Sequence, residues 1–300
     1  MKIYPQNQLI VILGPTGSGK SDLAVKLAKK FNAEIISSDS RQIYKGMNIG
    51  TAKITEGEMS DIPHYMLDIV KPNQNFTLAQ YKKSAIKIIK DIHQRRKTAF
   101  LVGGTGLYIQ AIVDNLQIPQ VKPNKKIRNK LEKLTNQELF EQLKKLDSKS
   151  AGVIDMNNKR RLIRALEVCL ISKKPFSEQR KKGKPLFKTL QIGLAPDKKT
   201  LEKKISQRAD KMIKAGLIEE IKELIKKYPP NLPSMNSIGY KEIIQYLENK
   251  ITLEQAEYLI KQHTRQYSRR QMTWFKKDQR IIWVKNQKQA EKLIKEFLFV

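Results

Sequence analysis

Gly14-Pro15-Thr16-Gly17-Ser18-Gly19-Lys20-Ser21 fits the spacing G-x-x-x-x-G-K-[ST]. Glycines let backbone amides turn inward around phosphate oxygens, and a helix opening behind them adds partial positive charge. Lys20 then supplies a point charge to the terminal phosphate, and the Ser21 hydroxyl is a ligand of the type Mg²⁺ takes. The apolar run Leu9 to Leu13 precedes the loop and the helical spacing Leu23, Leu27, Phe31 follows it, which is the strand–loop–helix setting this chemistry requires. The segment is therefore read as a phosphate-binding loop. That reading is one of class only, because kinases, ATPases and GTPases share it and ATP is among its ligands.

A second acidic candidate follows the next strand, in Ser37-Ser38-Asp39-Ser40-Arg41-Gln42. A strand ending here sets Asp39 at the same sheet edge as the loop. Two readings stay open for it: a carboxylate that does chemistry, or a turn former and helix cap. No apolar strand ends in an aspartate of the Walker B kind, which departs from an ordinary ATPase.

The elements that must position these residues alternate. Strands are expected at Leu9 to Leu13, Glu34 to Ser37, Thr98 to Val102, Leu190 to Ala195 and Ile281 to Val284, and helices at Ser18 to Phe31, Leu78 to His93 and Leu201 to Lys214. Between them, residues 118–188 are basic and helical, with Pro119, Pro123, Pro175 and Pro185 near their ends and no good strand. The expected fold is α/β: a P-loop core with a parallel sheet, residues 1–117 and 189–300, interrupted by an all-helical insertion at 118–188.

Composition narrows the function classes. With 40% hydrophobic and 29% charged residues the chain builds a core, and no apolar stretch reaches a membrane span. Met1 to Gln8 is polar and shows no export signal, and the one cysteine, Cys169, reads as a buried helix residue; a reducing, cytoplasmic setting is expected. The formal charge of +30 points to a polyanionic partner, nucleic acid ahead of membrane. An A/T-rich genome would enrich any protein in Lys, Ile and Asn, so charge supports that partner without proving it.

Six segments then act together: GPTGSGKS at 14–21, SSDSRQIYKGMNIGTAK at 37–53, IPHYMLDIV at 62–70, LVGGTGLYIQAI at 101–112, RRLIRALEV at 160–168 and RQYSRRQMTWF at 265–275. In order and spacing, over nearly the whole chain, they resemble the bacterial tRNA dimethylallyltransferase (tRNA isopentenyltransferase) family. The resemblance implies a nucleotide-kinase-like core with a helical insertion, Mg²⁺ as cofactor, and dimethylallyl diphosphate and tRNA as substrates of a monomeric enzyme. One cysteine and three histidines do not supply the zinc finger of the eukaryotic relatives.

Carried over residue by residue, the resemblance makes Asp39 the general base toward the adenine N6 amine and gives the loop to the diphosphate. It makes Arg208 a further diphosphate contact, against the alternative of a solvated helix charge. Thr105 in Gly103-Gly104-Thr105-Gly106 contacts the target nucleotide, where the residues alone allow a plain N-cap. Ser40, Arg41 and Gln42 join Asp39 on the tRNA side. Arg160, Arg161 and Arg164 lie within roughly a 100° arc of one helix, opposite Leu162, Ile163, Leu166 and Leu170. A solvated face explains that arc equally well; the resemblance places tRNA there, and also at Arg128. The family commonly has Gln where this chain has Arg160, which weakens that one assignment. Near the C-terminus Lys261, Arg265, Arg269 and Lys276 share a stripe of about 80°, a candidate phosphate track. Tyr267 and Trp274 opposite are read as core, as is Tyr108, and His64 is read as structural. Two rivals remain: prenyl transfer to free adenine nucleotides, and an ATP-driven nucleic-acid-binding protein.

Overall fold

A computed structural model describes residues 7–299, so most of the polar stretch read at Met1 to Gln8 lies outside the described residues. The chain divides into two compact units, one from the segments up to Val113 and from Leu186 on, the other Asp114–Pro185.

The larger unit is built on six parallel strands: β1 (Gln8–Leu13), β2 (Ala33–Ser37), β3 (His64–Tyr65), β4 (Thr98–Gly103), β5 (Lys188–Leu194) and β6 (Ile281–Val284), in the order β3-β2-β4-β1-β5-β6. Strand β1 is buried on both faces, as a central parallel strand must be, and its alternation divides the core. Leu9, Val11 and Leu13 pack with Ile36, Leu101 and α3 (Leu78–Gln94) on one side; Ile10 and Ile12 pack with Phe100, Ile192 and α1 (Lys20–Lys30) on the other. Between β2 and α3 lies α2 (Glu56–Met59), and α4 (Gly106–Val113) follows β4.

The strand order settles where chemistry concentrates. Strands β2, β4 and β1 are neighbours, so the segments leaving their C-terminal ends emerge side by side: Ser38–Asp39, Gly104–Thr105 and the phosphate loop. Ligands of open α/β sheets bind at such an edge.

The smaller unit holds α5 (Lys125–Glu132), α6 (Asn136–Leu146), α7 (Ser148–Ala151), α8 (Lys159–Ser172) and α9 (Phe176–Gln179) around Leu139, Leu143, Leu162, Leu166 and Cys169. Thr135 starts α6 through a reciprocal capping box with Glu138. Leu162, Ile163 and Leu166 are buried on α8, whereas Leu170, on the same side and one turn further on, is 46% exposed. Burial raises the Cys169 thiol, which leaves it an inert core residue.

The chain returns through β5 to α10 (Lys198–Lys214), α11 (Leu217–Lys227), α12 (Tyr240–Leu247), α13 (Leu253–Phe275) and α14 (Gln287–Phe299). Helices α10 to α13 pack over Ile43 and Met47. Among the described residues no helix is long and apolar enough to cross a membrane.

Candidate active site

The phosphate loop owes its shape to backbone conformations that only glycine adopts cheaply. Gly17 and Gly19 stand at φ +86° and +85°, and Gly19 ends the loop as the N-cap of α1 with no side-chain cap. Ser18 N–H donates to Pro15 O at 3.1 Å and Thr16 N–H donates to Gln271 Oε1 at 2.8 Å. The amides of Gly17, Gly19, Lys20 and Ser21 donate to no acceptor among the described residues. Four unsatisfied donors at a helix N-terminus form an anion cradle. At Gly14 a Cβ would collide with the Leu194 carbonyl of β5, so close packing fixes that residue type.

Lys20 and Arg208 are both partly buried beside this cradle. Lys20 Nζ donates to Pro15 O at 3.3 Å and Arg208 donates to Thr51 O at 3.2 Å. Burial pulls the Lys20 amine down to about 8, the neighbouring Arg208 adds to that, and Asp39 opposes it. Burial lowers Arg208 as well, again against the pull of Asp39. Two desolvated cations thus share one carboxylate, an excess of positive charge that a diphosphate would offset.

Asp39 does form a turn. Its Oδ1 accepts from Arg41 N–H at 2.8 Å and Gln42 N–H at 3.4 Å, while Oδ2 makes no hydrogen bond among the described residues. The turn reading and the chemical reading therefore fall on different oxygens of one carboxylate. Around it stand Tyr81, Tyr108 and Tyr267. Tyr81 and Tyr108 stack with ring centroids 3.8 Å apart, and Tyr81 Oη donates to Ser37 O at 3.0 Å. Burial, with Asp39 contributing, holds all three phenols protonated, Tyr267 being pushed up to about 12.

Thr105 is not spent on capping α4. Its Oγ1 accepts from Ser40 N–H at 3.1 Å, and its own N–H donates to Ser38 O at 3.1 Å, which pins the Asp39 loop to the loop after β4. Gln42 is committed to the backbone, donating to Ala52 O at 3.2 Å and Thr51 O at 3.4 Å; Arg41 donates to Pro233 O at 3.0 Å. His64 serves structure through Nδ1 and Ile62 O at 2.7 Å.

Sequence reasoning missed Glu220 and Gln271. Glu220 accepts from the amides of Asn48 (2.9 Å), Ile49 (2.8 Å) and Gly50 (3.2 Å) and from the Tyr240 hydroxyl (2.7 Å). It fixes the loop whose Thr51 carbonyl receives Arg208. Nothing in its periodicity marks it. Gln271 did leave a signal: a polar residue four after Tyr267, on the face of α13 assigned to the core.

Two assignments on α13 change. Trp274 is 36% exposed rather than core, and its ring crowds Gly106 at the start of α4 so closely that a Cβ there would clash. The basic stripe is interrupted, since Lys261 pairs with Asp210 at 2.5 Å and Arg265 is half-buried with Nε unpartnered; Arg269 and Lys276 stay exposed.

In the smaller unit the arginines divide. Glu167, fully buried, accepts two bonds from Arg128 at 2.8 Å, one from Arg164 at 2.6 Å and one from Asn124 N–H at 2.7 Å. Arg128 and Arg164 thus hold this unit together. Arg160 and Arg161 are exposed with no carboxylate partner among the described residues.

Residues 42–278 match the family model described as IPP transferase. The chain is 48% identical over 275 residues to a tRNA dimethylallyltransferase of Microcystis aeruginosa, covering 92% of this chain and 87% of that one. It is 46% identical over 303 residues to one from Thermoanaerobacter pseudethanolicus, covering 97% and 96%. Among solved structures it is similar to the full-length tRNA isopentenylpyrophosphate transferase of Bacillus halodurans, with a TM-score of 0.75 at 36% identity over 98% of this chain and 97% of that one. A eukaryotic dimethylallyltransferase acting on tRNA gives a TM-score of 0.81 at 30% identity, over 97% of this chain and 77% of that one.

Proposed function

The chain belongs to the IPP transferase family, and we propose that it transfers a dimethylallyl group from dimethylallyl diphosphate to N6 of the adenosine 3′ of the anticodon in tRNA. The observation that carries this reading is the juxtaposition of an anion cradle flanked by two partly buried cations with a single carboxylate whose Oδ2 is unengaged among the described residues. A kinase needs the first; an alkylation of a weakly nucleophilic amine needs both.

The cradle amides, Lys20 and Arg208 bind the diphosphate and set its C1 carbon toward the loops of Asp39 and Thr105. The N6 lone pair attacks C1, the C1–O bond breaks with its electron pair going to pyrophosphate, and the N6 proton passes to Asp39 Oδ2. The charge developing on the leaving group meets donors already in place. The target base must leave its stack to reach this buried site. Ser21 exposes its hydroxyl in the first turn of α1, and no group of three or more acidic or imidazole ligands exists among the described residues. That donor set fits Mg²⁺, which keeps waters and takes most of its oxygens from a substrate's phosphates; bound there it would supply charge neutralisation.

An assay offering tRNA, AMP and ATP in parallel with labelled dimethylallyl diphosphate tests the proposal. Label is expected on tRNA alone. Transfer to AMP of comparable efficiency would favour the free-nucleotide enzyme, and ATP hydrolysis without transfer would overturn the reading.

The smaller unit gives a separate expectation. Arg161→Ala should flatten the dependence of log tRNA affinity on log salt by about 0.7–0.9 per phosphate contact removed. Arg128→Ala should instead lower the thermal midpoint, by about 1–3 kcal/mol of stability. It takes two of the four hydrogen bonds from the buried Glu167, which keeps Arg164 and Asn124 N–H, and Arg128 itself is 39% exposed, so the cost is discounted from that of a fully buried pair. An Arg128→Ala protein with an unchanged melting midpoint and a flattened slope would return Arg128 to the RNA contact.

A further inference from the structure

Gln271 is 6% exposed, sits on α13, and joins two loops beyond the last rung of the β1–β4 ladder, Leu13 opposite Gly103. Its Oε1 accepts from Thr16 N–H in the phosphate loop and its Nε2 donates to Gly104 O, both at 2.8 Å. The polarity is fixed, because an amide turned over would set donor against donor and acceptor against acceptor. The approach is close enough that a Cβ on Gly104 would collide with Gln271 Nε2. That accounts for the second glycine of Gly103-Gly104 without invoking flexibility.

The two loops so joined hold the two halves of the reaction. Thr16 precedes the cradle amides, and its own N–H is taken by Gln271. Gly104 precedes Thr105, which holds Ser40 and with it the Asp39 turn. One planar side chain therefore braces the diphosphate cradle against the loop that holds the base, where the β1–β4 and β2–β4 ladders have ended. We propose that Gln271 is a positioning residue for prenyl transfer, aligning the C1 carbon with the attacking amine and Asp39 while touching neither substrate. The proposal rests on the function given above.

Misplacement of reacting groups by about 1 Å costs up to 10²-fold. Gln271→Ala is therefore expected to lower the single-turnover rate, at saturating dimethylallyl diphosphate and tRNA, by about 10- to 100-fold, with both dissociation constants within about threefold of wild type. Gln271→Glu keeps the bond from Thr16 and sets a carboxylate against Gly104 O, so it should lose as much although its size is unchanged. Rates are normalised to tRNA-binding sites, so a poorly folded fraction does not count as lost catalysis. In an Asp39→Asn background the Gln271→Ala effect should shrink severalfold, because alignment with an absent base has less to lose. A purely structural residue would give the same factor in both backgrounds. Rates within threefold of wild type in both single variants, or equal factors in the two backgrounds, would overturn the proposal. If wild-type protein fails to prenylate tRNA at all, the functional reading fails instead.

Discussion

Lys20→Ala should lower prenyl transfer by about 10²–10³-fold, the loss that follows removal of one donor to developing negative charge, and should weaken diphosphate binding while leaving tRNA affinity nearly intact. The amine faces the cradle, with Arg208 beside it and Asp39 opposing. Its position also gives the binding a pH dependence. The free protein's Lys20 titrates near 8 because burial and Arg208 disfavour its charge. Below that pH the amine is a cation and ready for a phosphate oxygen. As pH rises through 8 it loses the proton, and binding a diphosphate must then take a proton up. Affinity for dimethylallyl diphosphate, measured without tRNA, should fall by up to tenfold per pH unit above about 8, with proton uptake visible by calorimetry in two buffers. Lys20→Arg keeps the charge and should abolish the dependence. A flat affinity from pH 7 to 9.5 in the wild type would place Lys20 outside the cradle, and an equal loss of tRNA affinity in Lys20→Ala would refute the division between the two substrates.

The strands were legible because a central parallel strand carries an unbroken apolar run, and Leu9 to Leu13 or Thr98 to Val102 has no other way to be buried. Strand β3 was not: His64 and Tyr65 are half-buried at the sheet edge and form two residues of ladder, too short for any periodicity. The phosphate loop and the Asp39 turn were legible as local motifs, since their geometry is set by neighbours in sequence. Gln271 and Glu220 act on backbone more than 160 residues away, and nothing local records such a partner. The arginines of the smaller unit show the same limit from the other side. A helical stripe reports which residues share a face, not what meets them, so Arg128 and Arg164 looked like Arg161 until the buried Glu167 was seen between them. One part of that network was visible in principle, as Arg164 and Glu167 stand at i, i+3 on α8.

Asp39→Asn is expected to cut the chemical step by about 10²–10⁴-fold, some 3–5 kcal/mol, with little change in the binding of either substrate. The substitution isolates one oxygen's function. Asparagine retains a carbonyl oxygen to accept from Arg41 N–H and Gln42 N–H, so the turn that Oδ1 makes survives, and with it Ser40 on Thr105. What changes is the second position, Oδ2, which becomes an amide nitrogen unable to accept a proton at neutral pH. If Asp39 were only a turn former, Asn would serve about as well and the rate would hardly move. The two readings of the residue thus differ by orders of magnitude in a single change. Single-turnover transfer with tRNA and dimethylallyl diphosphate both saturating is the measurement, since it separates chemistry from binding and release. A rate within about threefold of wild type would return Asp39 to the turn and leave the N6 proton to pass to solvent.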